Sequence, residues 1–156
     1  MTKRQSVILV VLAVFLQLNT GMIVMAQSDI DDHRECAGCG MDRKAYGYSR
    51  MLIQYEDGTE VGVCSLHCAV EELDAHGSRK VKAIFVADRD TRTLIAADKA
   101  IWVMGGSKRG VMTKQPKWAF QTRAAAEAFI GSYGGKLVSW EEALAAARQD
   151  MSQERP

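Results

Sequence analysis

Long apolar runs, an excess of one charge and catalytic groupings are all missing from this sequence, and each absence removes a class of function. The longest unbroken apolar stretch is residues 7–16, VILVVLAVFL, about half of the ~20 residues that a bilayer-spanning helix requires. With 20 Lys and Arg against 19 Asp and Glu, the formal net charge is +1. That balance gives no basic patch of the kind nucleic-acid binding demands. No Ser/His/Asp set sits at a recognisable strand-to-helix elbow, and no carboxylate pair has a spacing suited to acid–base work. Gly105-Gly106-Ser107-Lys108 lacks both the GxxxxGK[ST] spacing and a helix directly after it, which excludes a phosphate loop. Cysteine is sparse as well: Cys36, Cys39, Cys64 and Cys68 are the whole complement.

What is present begins with an address. Lys3 and Arg4 precede the apolar run, and Val24-Met25-Ala26 offers the small or tolerated residues that a signal peptidase reads. Residues 1–26 are the pattern of a cleaved secretory signal peptide. The expectation is an exported, periplasmic protein with no stable membrane insertion after cleavage. No cysteine follows a small-residue box at the end of the apolar run, which argues against lipoprotein processing. Residues 27–156 are about 130 in number, enough for one compact domain or two small subdomains, and a monomer is expected. Their formal charge is −1, from 18 basic and 19 acidic side chains.

Residues 27–35 (QSDIDDHRE) are polar and acidic without periodicity and read as a tether. Residues 46–55 read as a strand, in which Met51, Ile53 and Tyr55 alternate with Arg50, Leu52 and Gln54. Glu56-Asp57-Gly58-Thr59 is a hairpin turn into a return strand over 60–63. At Ser65 the period changes to 3.6: Ser65 can cap a helix whose apolar stripe is Leu66, Ala69, Val70 and Leu73, stopping near Gly77. Residues 81–86 are a strand. The second part repeats this order, with strands at 101–104 and 118–120, a helix capped by Thr122 and closed by Gly134-Gly135, and a strand at 136–138. Ser139 and Glu142 form a capping box that opens a last helix through about Arg148, with fraying from Asp150. The fold class is therefore α+β, two loosely repeated β-β-α-β halves (36–98 and 99–150) with a C-terminal helix in the second.

Cys36-x2-Cys39-Gly40 is a compact metal knuckle, and Cys64 and Cys68 stand astride a helix start. Unpaired amides in that first turn favour a thiolate at Cys68. Three chemistries remain open: a metal site, structural disulfides such as Cys39 to Cys64, which persist in an oxidising compartment, and redox chemistry at Cys36 and Cys39. Thiolates suit zinc and copper(I), whereas thioethers select copper(I). Met51 and Met104 lie in apolar strands and read as core. Met41 and Met112 have Gly, Asp, Lys and Thr for neighbours and read as candidate ligands. His67 could add one more, although a solvated first-turn histidine is the plainer reading; His33 and His76 are bystanders. Trp118 and Trp140 are core anchors.

Cys36-Ala37-Gly38-Cys39-Gly40-Met41, the Asp57-Gly58 turn, Gly110-Val111-Met112-Thr113, Trp118-Ala119-Phe120, and Ala128-Phe129 with Gly134-Gly135 occur in an order that resembles the NosL family. The resemblance covers nearly all of the mature chain. It implies two β-β-α-β halves, related in architecture to organomercurial lyase. It also implies copper(I) carried outside the cytoplasm to an apo-enzyme, nitrous oxide reductase in the family, or to a membrane maturation complex. Carried over onto this sequence, the motif falls on Cys36, Cys39 and Met41, with Met112 as the loop methionine. The Cys64–Cys68 block is an addition to the family pattern. The expected ligand set is Cys39, Met41, Cys64, Cys68, Cys36 and Met112, with copper(I) ahead of zinc and no catalytic residue. A thiol-disulfide oxidoreductase and a zinc-stapled interaction module are the alternatives.

Overall fold

In the computed structural model, which describes residues 28–154, the elements follow one another as α1 (Ser28–Asp32), β1 (Met51–Tyr55), β2 (Glu60–Val63), α2 (Leu66–Ala75), β3 (Val81–Ala87), β4 (Leu94–Ala96), β5 (Ile101–Met104), β6 (Lys117–Phe120), α3 (Arg123–Tyr133), β7 (Lys136–Val138) and α4 (Trp140–Glu154). The signal peptide expected over residues 1–26 lies outside the described residues. Among the described residues, no helix is long and apolar enough to cross a membrane.

Local chemistry explains most of these boundaries. Gly58 turns the first hairpin at φ +85, and Asp57 Oδ1 accepts the Thr59 amide at 2.9 Å. Thr122 caps α3 through the Ala125 amide. Ser139 and Glu142 exchange both bonds of a capping box, at 2.7 and 3.1 Å, and launch α4.

The two halves share one topology. β1 is central in a sheet ordered β2-β1-β3-β4, and β5 is central in a sheet ordered β6-β5-β7. All pairings are antiparallel, so β2 and β3 run parallel to each other on either side of β1, as β6 and β7 do beside β5. Strands so related need a crossover, which α2 and α3 supply. The repeated α+β architecture with its C-terminal helix is thus what the chain forms. β4 is an extra edge strand of the first half that its three residues did not announce. Met51, Ile53 and Tyr55 face one core with Val63, Ala69 and Val70, and that core also takes Trp102, Ala143 and Met151 from the second half. On β5 the alternation splits Trp102 into this core and Val103 into a second one with Trp118, Phe120 and Phe129.

Four expectations need correction. The tether is structure: Ser28–Asp32 forms α1, and Asp29 and Ile30 are buried. The cause is long-range, because Asp29 accepts from Arg43 Nη2 at 2.8 Å and from Arg50 Nε and Nη2 at 2.9 Å each. Arg50, placed by alternation on the outer face of β1, is fully buried by the same bonds. α4 does not fray at Asp150: it continues to Glu154, with Met151 buried and Asp150 bound to Lys117 Nζ at 2.6 Å. Finally, α2 ends through the His76 amide on the Glu72 carbonyl, and Gly77 keeps a negative φ.

Candidate metal centre

The knuckle is built by backbone bonds. The Cys36 amide donates to Met41 O and the Gly40 amide to Cys36 O, both at 2.9 Å. Gly40 sits at φ +74, a left-handed conformation that a side chain would strain. The Ala37 amide donates to Gly62 O at 3.0 Å, which fixes the knuckle onto β2. At Gly62 a Cβ would fall 2.5 Å from His33 Cβ and 2.7 Å from Arg43 Cζ. Only glycine lets β2 lie this close to the buried guanidinium. Cys64 follows β2 directly, and Cys68 occupies the first turn of α2.

Ser65 does not cap α2. It has extended backbone angles and makes no side-chain cap bond; its hydroxyl instead stands 3.8 Å from Cys64 Sγ. The hydroxyl expected to serve the helix serves the thiol.

The four Sγ atoms all lie within 4.8 Å of one another. Cys39–Cys64 is 3.5 Å and Cys64–Cys68 is 3.8 Å. No disulfide joins them. An ion bound tetrahedrally at about 2.3 Å from sulfur has edges of about 3.8 Å, so the observed separations suit one centre. Cys36, Cys64 and Cys68 are buried and Cys39 is exposed. Met112 Sδ stands 3.7 Å from Cys68 Sγ and is carried by a left-handed residue (φ 50) that is 37 % exposed. Met41 contributes backbone: its amide hydrogen-bonds Cys39, while its half-buried side chain packs against the core cluster. The thioether that meets a thiol is Met112. His67 pairs with Glu71 at 3.7 Å, one turn along α2. His33 and His76 lie beside Glu60 and Glu72. Trp118 packs against Phe129 and Trp140 against Trp102, the anchoring role expected of both.

Charge is shared unequally across the thiols. Hydrogen bonding with Cys68 above all, and with Cys39 and Ser65, pulls the Cys64 thiol down to about 5 against the opposing effect of burial. Its hydrogen bond with Cys64 and burial push Cys68 far up. Burial raises Cys39 to about 11. The two shifts are linked, because the one contact between Cys64 and Cys68 lowers the first thiol and raises the second.

Around this centre stand groups that sequence reading missed. Arg43 and Arg50, both fully buried, share Asp29 beneath the knuckle. Arg43 also donates to Val63 O at 3.2 Å, next to Cys64. Lys117, Asp150 and Thr113 form a second cluster, with Thr113 Oγ1 2.6 Å from Asp150 Oδ2 and adjacent to Met112. The available signal was faint: basic residues close after a knuckle, and an acid in the last turns of a helix.

A family model described as NosL matches residues 27–147. No curated protein matches the chain. Among solved structures, the crystal structure of the copper chaperone NosL from Shewanella denitrificans is similar, at 27 % identity and a TM-score of 0.57 over 72 % of this chain and 91 % of that one.

Proposed function

Because the chain belongs to the NosL family, we propose that it is an exported copper(I) chaperone, a carrier that hands its cargo to a copper-accepting partner. The observation that carries this reading is the graded sulfur set: three buried thiols, the exposed Cys39, and Met112 reaching Cys68 from the surface. Thiolate with thioether is the donor mixture that selects cuprous ion. Loss of thiol protons accompanies binding. Exposed ligands at the rim give a partner's Cys or Met an approach, so that ligands exchange one at a time. Cys39, Cys64, Cys68 and Cys36 are the proposed thiol ligands, Met112 is the transfer ligand, and Met41 supports Cys39 through its backbone. The family resemblance supports, as the acceptor, an apo-cuproenzyme such as nitrous oxide reductase or a membrane maturation complex. The signal-peptide pattern of residues 1–26 supports a periplasmic site for the exchange.

Competition of the reduced protein against a copper(I) chelator, with X-ray absorption at the copper edge, tests the proposal. About one copper(I) per chain in an all-sulfur shell is expected, with tight binding lost in Cys39→Ser. No binding, together with an unchanged Cys39→Ser, ends the reading. The second reading is a zinc staple, which the convergence of four thiols favours; tightly held zinc that copper(I) fails to displace would establish it. A thiol-disulfide exchanger is opposed by the raised Cys39 thiol and by the burial of the lowered Cys64 thiol.

A further inference from the structure

The charge that composition averages away is concentrated in one place. Between Asp98 and Glu127 the sequence has Lys99, Lys108, Arg109, Lys114, Lys117 and Arg123 and no acidic residue. Lys108 and Arg109 lie on the loop 105–116, which faces Arg89 and Arg92 on the loop between β3 and β4 across a cavity of about 410 Å³. Arg89 is neutralised by Asp90 at 2.6 Å. Arg92, Lys108 and Arg109 meet no carboxylate among the described residues, so the cavity carries about three unbalanced positive charges (counted at neutral pH by). Tyr48 and Trp118 also line it, with ring centroids 6.1 Å apart. Trp118 is 3 % exposed, and its Nε1–H is a buried donor without a partner among the described residues. A buried donor left unmatched costs free energy unless a ligand accepts from it.

We propose that this pocket docks an acidic, carboxylate-bearing segment of the copper-accepting partner. The inference rests on the chaperone reading and adds the partner's chemistry to it. The cavity falls within the roughly 300–1,000 Å³ of sites that bury organic groups, more than a lone inorganic oxyanion fills. Its aromatic wall suits the aliphatic stem of Glu, and its rim cations suit the carboxylate. The position links docking to transfer, because Arg109 and Met112 share one loop. Tyr48 and Trp118 also line the inner cleft that reaches Ser65, Leu66 and His67, beside Cys64 and Cys68. A partner held here by charge presents its own sulfur ligands to Met112, and salt governs the encounter.

Fluorescence anisotropy of labelled hexaglutamate with the full chain tests this. Saturable binding is expected, weakening by about tenfold or more between 50 and 300 mM NaCl. Arg92→Glu with Arg109→Glu should abolish it while leaving copper(I) affinity by chelator competition unchanged. The neutral pair Arg92→Gln with Arg109→Gln, at exposed side chains, should weaken it part-way. Lys80→Glu with Lys99→Glu, which alters net charge equally at remote positions, should not weaken it. Absence of peptide binding, or equal loss in the pocket and remote pairs, overturns the proposal. So does binding of inorganic phosphate or of phosphatidylglycerol vesicles in place of the peptide. Absence of copper(I) affinity instead overturns the chaperone reading, and the peptide result still decides whether this is an acidic docking surface.

Discussion

Cys68 is the residue on which the centre turns. Fully buried, it touches both Cys64 at 3.8 Å and Met112 at 3.7 Å, joining the inner thiols to the surface thioether. Changes outside a metal's coordination shell cost about 10–100-fold in affinity, so losing this ligand as Cys68→Ser should cost about 100-fold or more in copper(I) affinity. Met112 stands at the rim with an exposed side chain, and three inner thiols remain when it is replaced. Met112→Leu should therefore lower affinity by less than about tenfold, while slowing delivery to an acceptor by more than its affinity change explains. Chelator competition and stopped-flow transfer separate these outcomes. Equal effects on affinity and rate would remove Met112 from the transfer step.

Single elements place those residues, and two contacts of the first half are decisive. β2 approaches Arg43 only because residue 62 has no Cβ. Gly62→Ala should cost about 1–3 kcal/mol by overpacking, measured by urea unfolding. Asp29 pairs with two buried guanidiniums, and Asp29→Asn should cost about 3–5 kcal/mol by breaking those ion pairs. The pH dependence follows from the same bonds. Burial pushes the Asp29 carboxyl up, but Arg50 and then Arg43 outweigh it, and it lies below the ordinary 3.8. A depressed carboxyl stabilises the fold above its unfolded value and loses that contribution as pH falls through its folded one. Wild type should lose stability steeply below pH 3.8, and Asp29→Asn should show a shallower acid limb. What sequence could and could not disclose divides along the same line. Hairpin, caps and glycine closures were legible at Gly58, Thr122, Ser139 and Gly134 because each depends on partners within a few residues. The four cysteines were legible as a set from their spacing. α1 was not, because Asp29 finds its partners 14 and 21 residues away. Ser65 was misassigned because a neighbouring sulfur competes for its hydroxyl.

The whole molecule couples the two halves through the metal centre and through the core beneath it. The thiols belong to the first half and Met112 to the second, while Lys117 and Asp150, at 2.6 Å, tie the end of α4 to the strand that follows the Met112 loop. Lys117 is 3 % exposed at its side chain, and Asp150→Ala should cost about 3 kcal/mol by stranding that ammonium. The main core takes Met51 and Val70 from the first half and Trp102, Ala143 and Met151 from the second, so neither half closes its apolar surface alone. Unfolding should then be a single transition. The three tryptophans, at 102, 118 and 140, all lie in the second half, which makes the test direct. Asp29→Asn, a first-half change, should move the tryptophan-fluorescence transition in urea by as much as the circular-dichroism transition. Loading with copper(I) at about a thousandfold over its dissociation constant should add about 4 kcal/mol and shift both probes together. In Cys68→Ser, at the same copper(I) concentration, a loss of about 100-fold in affinity should cut this gain to about 1.4 kcal/mol or less. Non-coincident transitions would mean that the halves unfold independently, and that metal held by the first half is not felt by the loop proposed to deliver it.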